Sequence, residues 1–271
     1  MADQKVRLGG MALQNGVLVH GPTSWAVAVR TDDGELRVAS GEKGLRGAEV
    51  TNPVLRGPAR MLDAFLLLPR IRRARPEVRF PFERPAVLLS MIATGLAAQR
   101  LRRSTRLGPA TRELLGGVLS LVPATLALRG SELAAYHGAE HISIGSYEHG
   151  EPRGKEHERC GSHLIGPLLL SSAVGAALAA RLPEQARGVA RIGVAVGSIA
   201  AATEIFSWMV RHPDHVVARV LARPGHELQH RLATADPDVA QLEVAQAALD
   251  ACLRLETDEA RRHGAEHQAA G

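Results

Sequence analysis

Apolar and polar positions divide the chain into a β-like start, an apolar middle and a polar end. From Gly9 to about Ser40 the apolar residues come in short runs. Val17-Leu18-Val19 follows Asn15-Gly16, and Trp25-Ala26-Val27-Ala28-Val29 leads through Asp32-Asp33-Gly34 to Leu36-Arg37-Val38. Asp-Gly between two strand-like runs predicts a β-hairpin, because these residues tolerate the positive φ of tight hairpin turns. From Asn52-Pro53 onwards, Met61, Leu62, Phe65, Leu66 and Leu68 predict a helix that Pro69 should end or bend. Four apolar segments follow, at about 86–98, 114–128, 164–180 and 189–210.

A bilayer-spanning helix needs about 20 apolar residues. The first two segments fall short, the third almost reaches that length, and the fourth has it but contains Arg191 and Glu204. Gly166, Ala173, Gly175 and Ala179 supply the small residues that let membrane helices approach closely, which favours a membrane over a soluble bundle of buried helices. After Pro213 the chain turns polar. Asp236-Pro237-Asp238 should open a last helix, with Val239, Leu242, Ala245, Leu249 and Leu253 as one apolar stripe that docks on the protein. The charged, Ala-rich stretch from Glu256 to Gly271 reads as a fraying, disordered tail.

The fold class expected is therefore mainly α: a multi-helix membrane bundle with a small N-terminal β-hairpin unit and a C-terminal amphipathic helix. Its parts would be a β-rich cytoplasmic unit (1–50), a membrane-associated helical core carrying the chemistry (51–212), a soluble helical segment (213–255) and the tail (256–271).

Composition narrows the partners. Aromatic residues make up only 3% of the 271 positions, so any core must be built from Leu, Ala and Val. The formal charge of +5 comes largely from two arginine clusters, Arg70, Arg72, Arg73 and Arg75, then Arg100, Arg102, Arg103 and Arg106. Without interleaved aromatics or a recognised motif they do not indicate nucleic acid; beside apolar helices they fit anionic headgroups on the cytoplasmic side. Both clusters flank the segment at 86–98, so it should dip into the membrane and return, or lie at the interface. Two cysteines give no disulfide framework. The polar stretch Met1–Gly10 has no signal-peptide pattern, so membrane entry is expected through internal segments.

The candidate chemistry lies in Tyr136-His137-Gly138-Ala139-Glu140-His141. His137 and His141 are four residues apart and Glu140 is nearly in line, which puts all three on one helix face. This H-x-x-E-H arrangement suits two imidazole ligands and a carboxylate that handles a proton. Spacing alone is a weak signal, since His226/His230 and His263/His267 repeat it in a chain with twelve histidines. Glu204 is a candidate third ligand, because a carboxylate inside an apolar helix needs a cation or a salt bridge with Arg191 or another arginine. Cys160, beside His157, and Glu148 are the other candidates. In a catalytic site Glu140 would be the base and Glu204 the third ligand; in a structural site Cys160 would close the tetrahedron. Imidazole, carboxylate and thiolate donors favour zinc, ahead of another divalent transition metal. The leading reading is a metal-dependent membrane enzyme of hydrolytic type; the competing one is a scaffold or regulator of other membrane proteins whose polar cluster fixes helix packing.

Several blocks in order resemble the DUF1385, or YqhQ-like, family of uncharacterised membrane proteins, described as predicted metal-dependent enzymes. They are Gly9-Gly10-Met11-Ala12, Gly21-Pro22-Thr23-Ser24-Trp25, Pro53-Val54-Leu55-Arg56-Gly57, the histidine stretch, Tyr147-Glu148-His149-Gly150, Arg159-Cys160-Gly161-Ser162, Glu204-Ile205, Pro224-Gly225 and Asp236-Pro237-Asp238. The resemblance extends over nearly the whole chain as one domain. It implies a multi-pass protein of a bacterial inner membrane, with a metal site drawn from His137, Glu140, His141, Glu148, Cys160 and Glu204. Substrate and oligomeric state do not follow from it.

Overall fold

The computed structural model describes residues 5–269, with side chains described as far as Arg262. The N-terminal runs form a four-stranded antiparallel meander: β1 (Gly9–Leu13), β2 (Gly16–His20), β3 (Ser24–Arg30) and β4 (Leu36–Glu42), in the order β1-β2-β3-β4. The expected hairpin is β3–β4, and Gly34 at its turn takes the positive φ of 83° that the Asp-Gly pair announced. The sheet is larger than that hairpin because β1, rich in glycine, also pairs along β2.

The β2 and β3 strands read as unbroken apolar runs because both faces of the sheet are covered. On one face, Val17, Val19, Ala26 and Ala28 pack with Tyr136, Ala139 and Ile144 of α5 (Glu132–His149) and with Val244, Ala245, Ala248 and Leu249 of α9 (Val239–Ala269). On the other, Leu18, Trp25, Val27 and Val29 meet Leu67 and Ile71 of α1 (Pro53–Ala74) with Val78 and Phe80. The first and last segments of the chain thus share a core with the histidine helix.

Three expectations change here. Pro69 does not end α1, which continues to Ala74; it lies on an exposed face, where the carbonyl it leaves without an N–H partner is not sealed in the core. The last helix docks as expected through Ala245 and Leu249, but Val239 is exposed. That helix also runs past Glu256 rather than fraying. Glu256 is buried and accepts from the backbone N–H groups of Thr23 and Ser24, at 2.9 and 2.8 Å, which fastens the helix to the β2–β3 turn. Residues 270–271 of the expected tail lie outside the described residues.

The apolar segments become α2 (Pro85–Arg102), α3 (Pro109–Leu119), α4 (Val122–Leu128), α6 (Ile165–Ala179) and α7 (Glu184–Arg211), and the polar stretch after α7 forms α8 (Val216–Leu228). Among the described residues three stretches are long and apolar enough to cross a membrane: Pro109–Leu128, Gly161–Ala179 and Glu184–Arg211.

A dip and return would need a reversal of the chain within the segment, and α2 contains none. It is a continuous helix of 18 residues, about 27 Å long. Arg84, before its start, donates to the carbonyl of Ala127 at the end of α4, and the carbonyl of Arg102 at its far end accepts from Arg112 of α3. α2 therefore lies antiparallel to the α3–α4 stretch, and the two arginine clusters sit at its opposite ends rather than on one side. The end near Arg84 is the end that carries the sheet and α5, because Val87 of α2, Ala127 of α4 and Leu133 of α5 form one cluster there.

Candidate metal centre

α5 starts after the extended Ser131 and ends at Gly150, whose left-handed conformation stops the helix. Between them His137 and His141 reach the π-helical turn Gln229–Ala233 after α8 and the loop 150–160, and Glu140 faces Gly10 of β1. The site thus lies where the sheet module meets the apolar helices, and α5 is not itself one of the three span-length stretches.

Each imidazole is fixed by its Nδ1. His137 Nδ1 is 2.8 Å from the carbonyl oxygen of Ala233, and His141 Nδ1 is 2.7 Å from that of Lys155. A carbonyl only accepts, so both Nδ1 atoms carry the proton in neutral rings, and both Nε2 atoms present lone pairs. These Nε2 atoms face a common space. The sulfur of Cys160 is 3.6 Å from His137 Nε2, and donor atoms of His137, His141 and Cys160 all lie within 4.8 Å of one another. Glu140 adds Oε2, at 3.8 Å from His137 Nε2 and 4.0 Å from His141 Nε2. Backbone carbonyls that hold imidazoles from behind are a usual outer layer of a metal site. The donor set fits zinc, which accepts two imidazoles, a thiolate and a carboxylate.

Burial sets the protonation of the two central groups. It pushes the Glu140 carboxyl above the usual carboxylate range, with His137 and His157 opposing the shift. It lowers His141 below the usual histidine range, which keeps the ring neutral and ready to ligate. Space for the Glu140 carboxyl comes from β1: a Cβ on Gly10 would overlap its Oε1 and force the buried side chain to shift.

Glu148 and Glu204 do not join the group. Glu148 takes Arg159 at 2.8 Å and His157 Nε2 at 3.2 Å, so it holds the loop that presents Cys160. The His157 ring lies 5.6 Å from that of His141, centroid to centroid. Glu204 pairs with Arg56 of α1, which satisfies the carboxylate of an apolar helix by an arginine other than Arg191. The reason is topological: α1 brings Arg56 to α7, away from α5. His226 and His230 share Glu156 at the surface, at 3.6 and 2.7 Å, outside the group. The side chains of His263 and His267 lie outside the described residues.

Gln229 is a contributor that sequence reasoning missed. It is 1% exposed, and its side chain accepts from the N–H of His157 at 3.0 Å and donates to Ser162 Oγ at 2.7 Å. An amide between two histidines of an unremarkable polar stretch carried no signal of this role.

Residues 131–255 match the family model described as "Protein of unknown function (DUF1385)". The matched segment is just under half of the chain, and it contains every residue of the metal-capable group. The similar blocks in β1 to β3 and at the start of α1 fall outside it. No curated protein and no solved structure matches the chain.

Proposed function

We propose that this chain is a multi-pass membrane protein carrying a zinc-dependent site of hydrolytic type, with His137, His141 and Cys160 as ligands. The supporting observation is the orientation of the imidazoles: both Nε2 lone pairs converge on the Cys160 sulfur and the buried Glu140 carboxyl. Zinc held there would lower the pKa of a bound water towards about 7. Glu140 would be the base that takes its proton, since its Oε2 lies 3.8 Å and 4.0 Å from the two Nε2 atoms that would hold the metal. The carboxyl, 7% exposed and set against Gly10, is shielded from bulk water. Three apolar stretches, with α2 alongside, hold the protein in a bacterial-type cytoplasmic membrane, with the sheet on the cytoplasmic side.

A second reading is favoured by one observation, the depth of the site: His141 is 2% and Glu140 7% exposed. In that reading Glu140 is a fourth ligand and the closed site staples α5 to its loop in a membrane scaffold. Elemental analysis of detergent-purified protein, together with Glu140→Gln, separates the two. An enzyme keeps stoichiometric zinc in Glu140→Gln and loses its cellular activity, whereas a staple loses zinc and stability together. Protein free of metal, with His137→Ala leaving the cellular phenotype intact, sinks both.

A further inference from the structure

α1 has two faces of different character. The inward face docks twice. Arg56 pairs with Glu204 and Gly57 lies against Thr203, both on α7 two turns before its end at Arg211. Further along, Asp63 takes Lys43 at 2.9 Å, and Leu67 and Ile71 enter the sheet core. On the opposite side Leu55, Leu62, Phe65 and Leu66 are exposed, Phe65 to 60%. Their spacing makes one continuous apolar stripe along the helix, and the exposed Arg70 and Arg73 follow at its C-terminal end. Water does not cover such a patch at little cost. Yet α1 is not among the stretches apolar enough to cross a membrane.

We propose that α1 lies along the membrane surface as an in-plane anchor, with its stripe among the acyl chains and Arg70 and Arg73 on anionic headgroups. Continuity selects lipid as the occupant: the helix is docked on α7, so the stripe adjoins the apolar belt of a candidate span. Charge selects the lipid class, because a basic end next to an apolar stripe is complementary to an anionic leaflet. α8 repeats the pattern directly after α7, with Val216, Val217 and Val220 exposed. The inference rests on the membrane part of the proposed function and is independent of the metal.

The test uses the full chain reconstituted in phosphatidylcholine vesicles, with or without phosphatidylglycerol, carrying bromine on the acyl chains. Phe65→Trp, and separately Leu62→Trp, reports the stripe once the emission of Trp25 and Trp208 in the parent protein is subtracted. The added emission should be blue-shifted and quenched by brominated chains. Quenching should increase with phosphatidylglycerol, and Arg73→Glu should remove that increase. Water-like, unquenched emission from both variants overturns the proposal. Blue-shifted but unquenched emission overturns it in favour of a protein cover, such as a second copy, and equal quenching in both lipids overturns the headgroup assignment. Release of the protein by a carbonate wash would instead defeat the membrane reading on which the inference rests.

Discussion

Gly10 of β1 and Glu140 of α5 occupy each other's space: the buried carboxyl of Glu140 fills the position that a side chain on Gly10 would take. Through this contact the N-terminal sheet becomes part of a site whose nitrogen and sulfur donors lie more than 120 residues further along the chain. It also explains a glycine within a strand, where glycine normally weakens pairing.

Gly10→Ala should therefore cost about 1–3 kcal/mol through overpacking, with no contribution from backbone conformation. Glu140→Ala should relieve that cost. In a thermal or denaturant unfolding series the double variant is expected to be more stable than the sum of the single effects implies. Strict additivity would show that the two residues do not meet.

Glu148→Gln should weaken metal binding without removing a ligand. Glu148 holds Arg159 and His157 in the loop that presents Cys160, and losing such an outer partner typically costs about 10–100-fold in affinity. Cobalt titration of the purified protein should still reach full occupancy with thiolate charge-transfer absorption. Cys160→Ser should abolish that absorption. If Glu148→Gln abolishes it as well, Glu148 has a role closer to the metal than the loop contacts give it.

Glu204→Gln should leave the zinc content unchanged, because its carboxylate is committed to Arg56. The expected loss is about 1 kcal/mol from the α1–α7 contact, with both side chains about a third exposed. Exchanging the charges, Arg56→Glu with Glu204→Arg, should recover part of it. Loss of zinc in Glu204→Gln would return this residue to the ligand set.

The His20 ring, beside the buried Lys43–Asp63 pair, predicts an acid-sensitive sheet. Lys43 Nζ donates to His20 Nδ1 at 3.1 Å, and burial, followed by the Lys43 charge, lowers the His20 pKa to about 4. A histidine with a depressed pKa takes up its proton more readily in the unfolded chain. Its stabilising effect is complete above about pH 6.5, falls as the pH drops towards about 4, and amounts to about 3 kcal/mol across that window. Unfolding midpoints measured across it should be less pH-dependent in His20→Gln than in the parent. Parallel profiles would remove His20 as the cause.

Much was legible locally. Asp33-Gly34 announced the β3–β4 turn, and the apolar runs placed α6 and α7 closely, because hydrophobic periodicity and turn chemistry act within a few residues. The spacing of His137, Glu140 and His141 gave a shared helix face for the same reason. Cys160 comes within reach of both imidazoles because it follows that helix by one short loop, which limits how far it can stray.

The remaining assignments depended on which distant segments pack together. Glu204 has the chemistry of a ligand, and nothing in its own helix says that Arg56 arrives first from α1. Glu148 likewise has ligand chemistry, but the folded loop supplies Arg159 and His157 to it before any metal. Gln229 became important only when the turn after α8 folded onto His157. The sequence by itself determined the strand runs, the apolar helices and the H-x-x-E-H face, since those follow from periods of two and 3.6 residues. Tertiary structure decided which carboxylates are already paired, that α2 separates the two arginine clusters, and that a strand glycine makes room for Glu140. Those outcomes are set by long-range packing and desolvation, which no local pattern encodes.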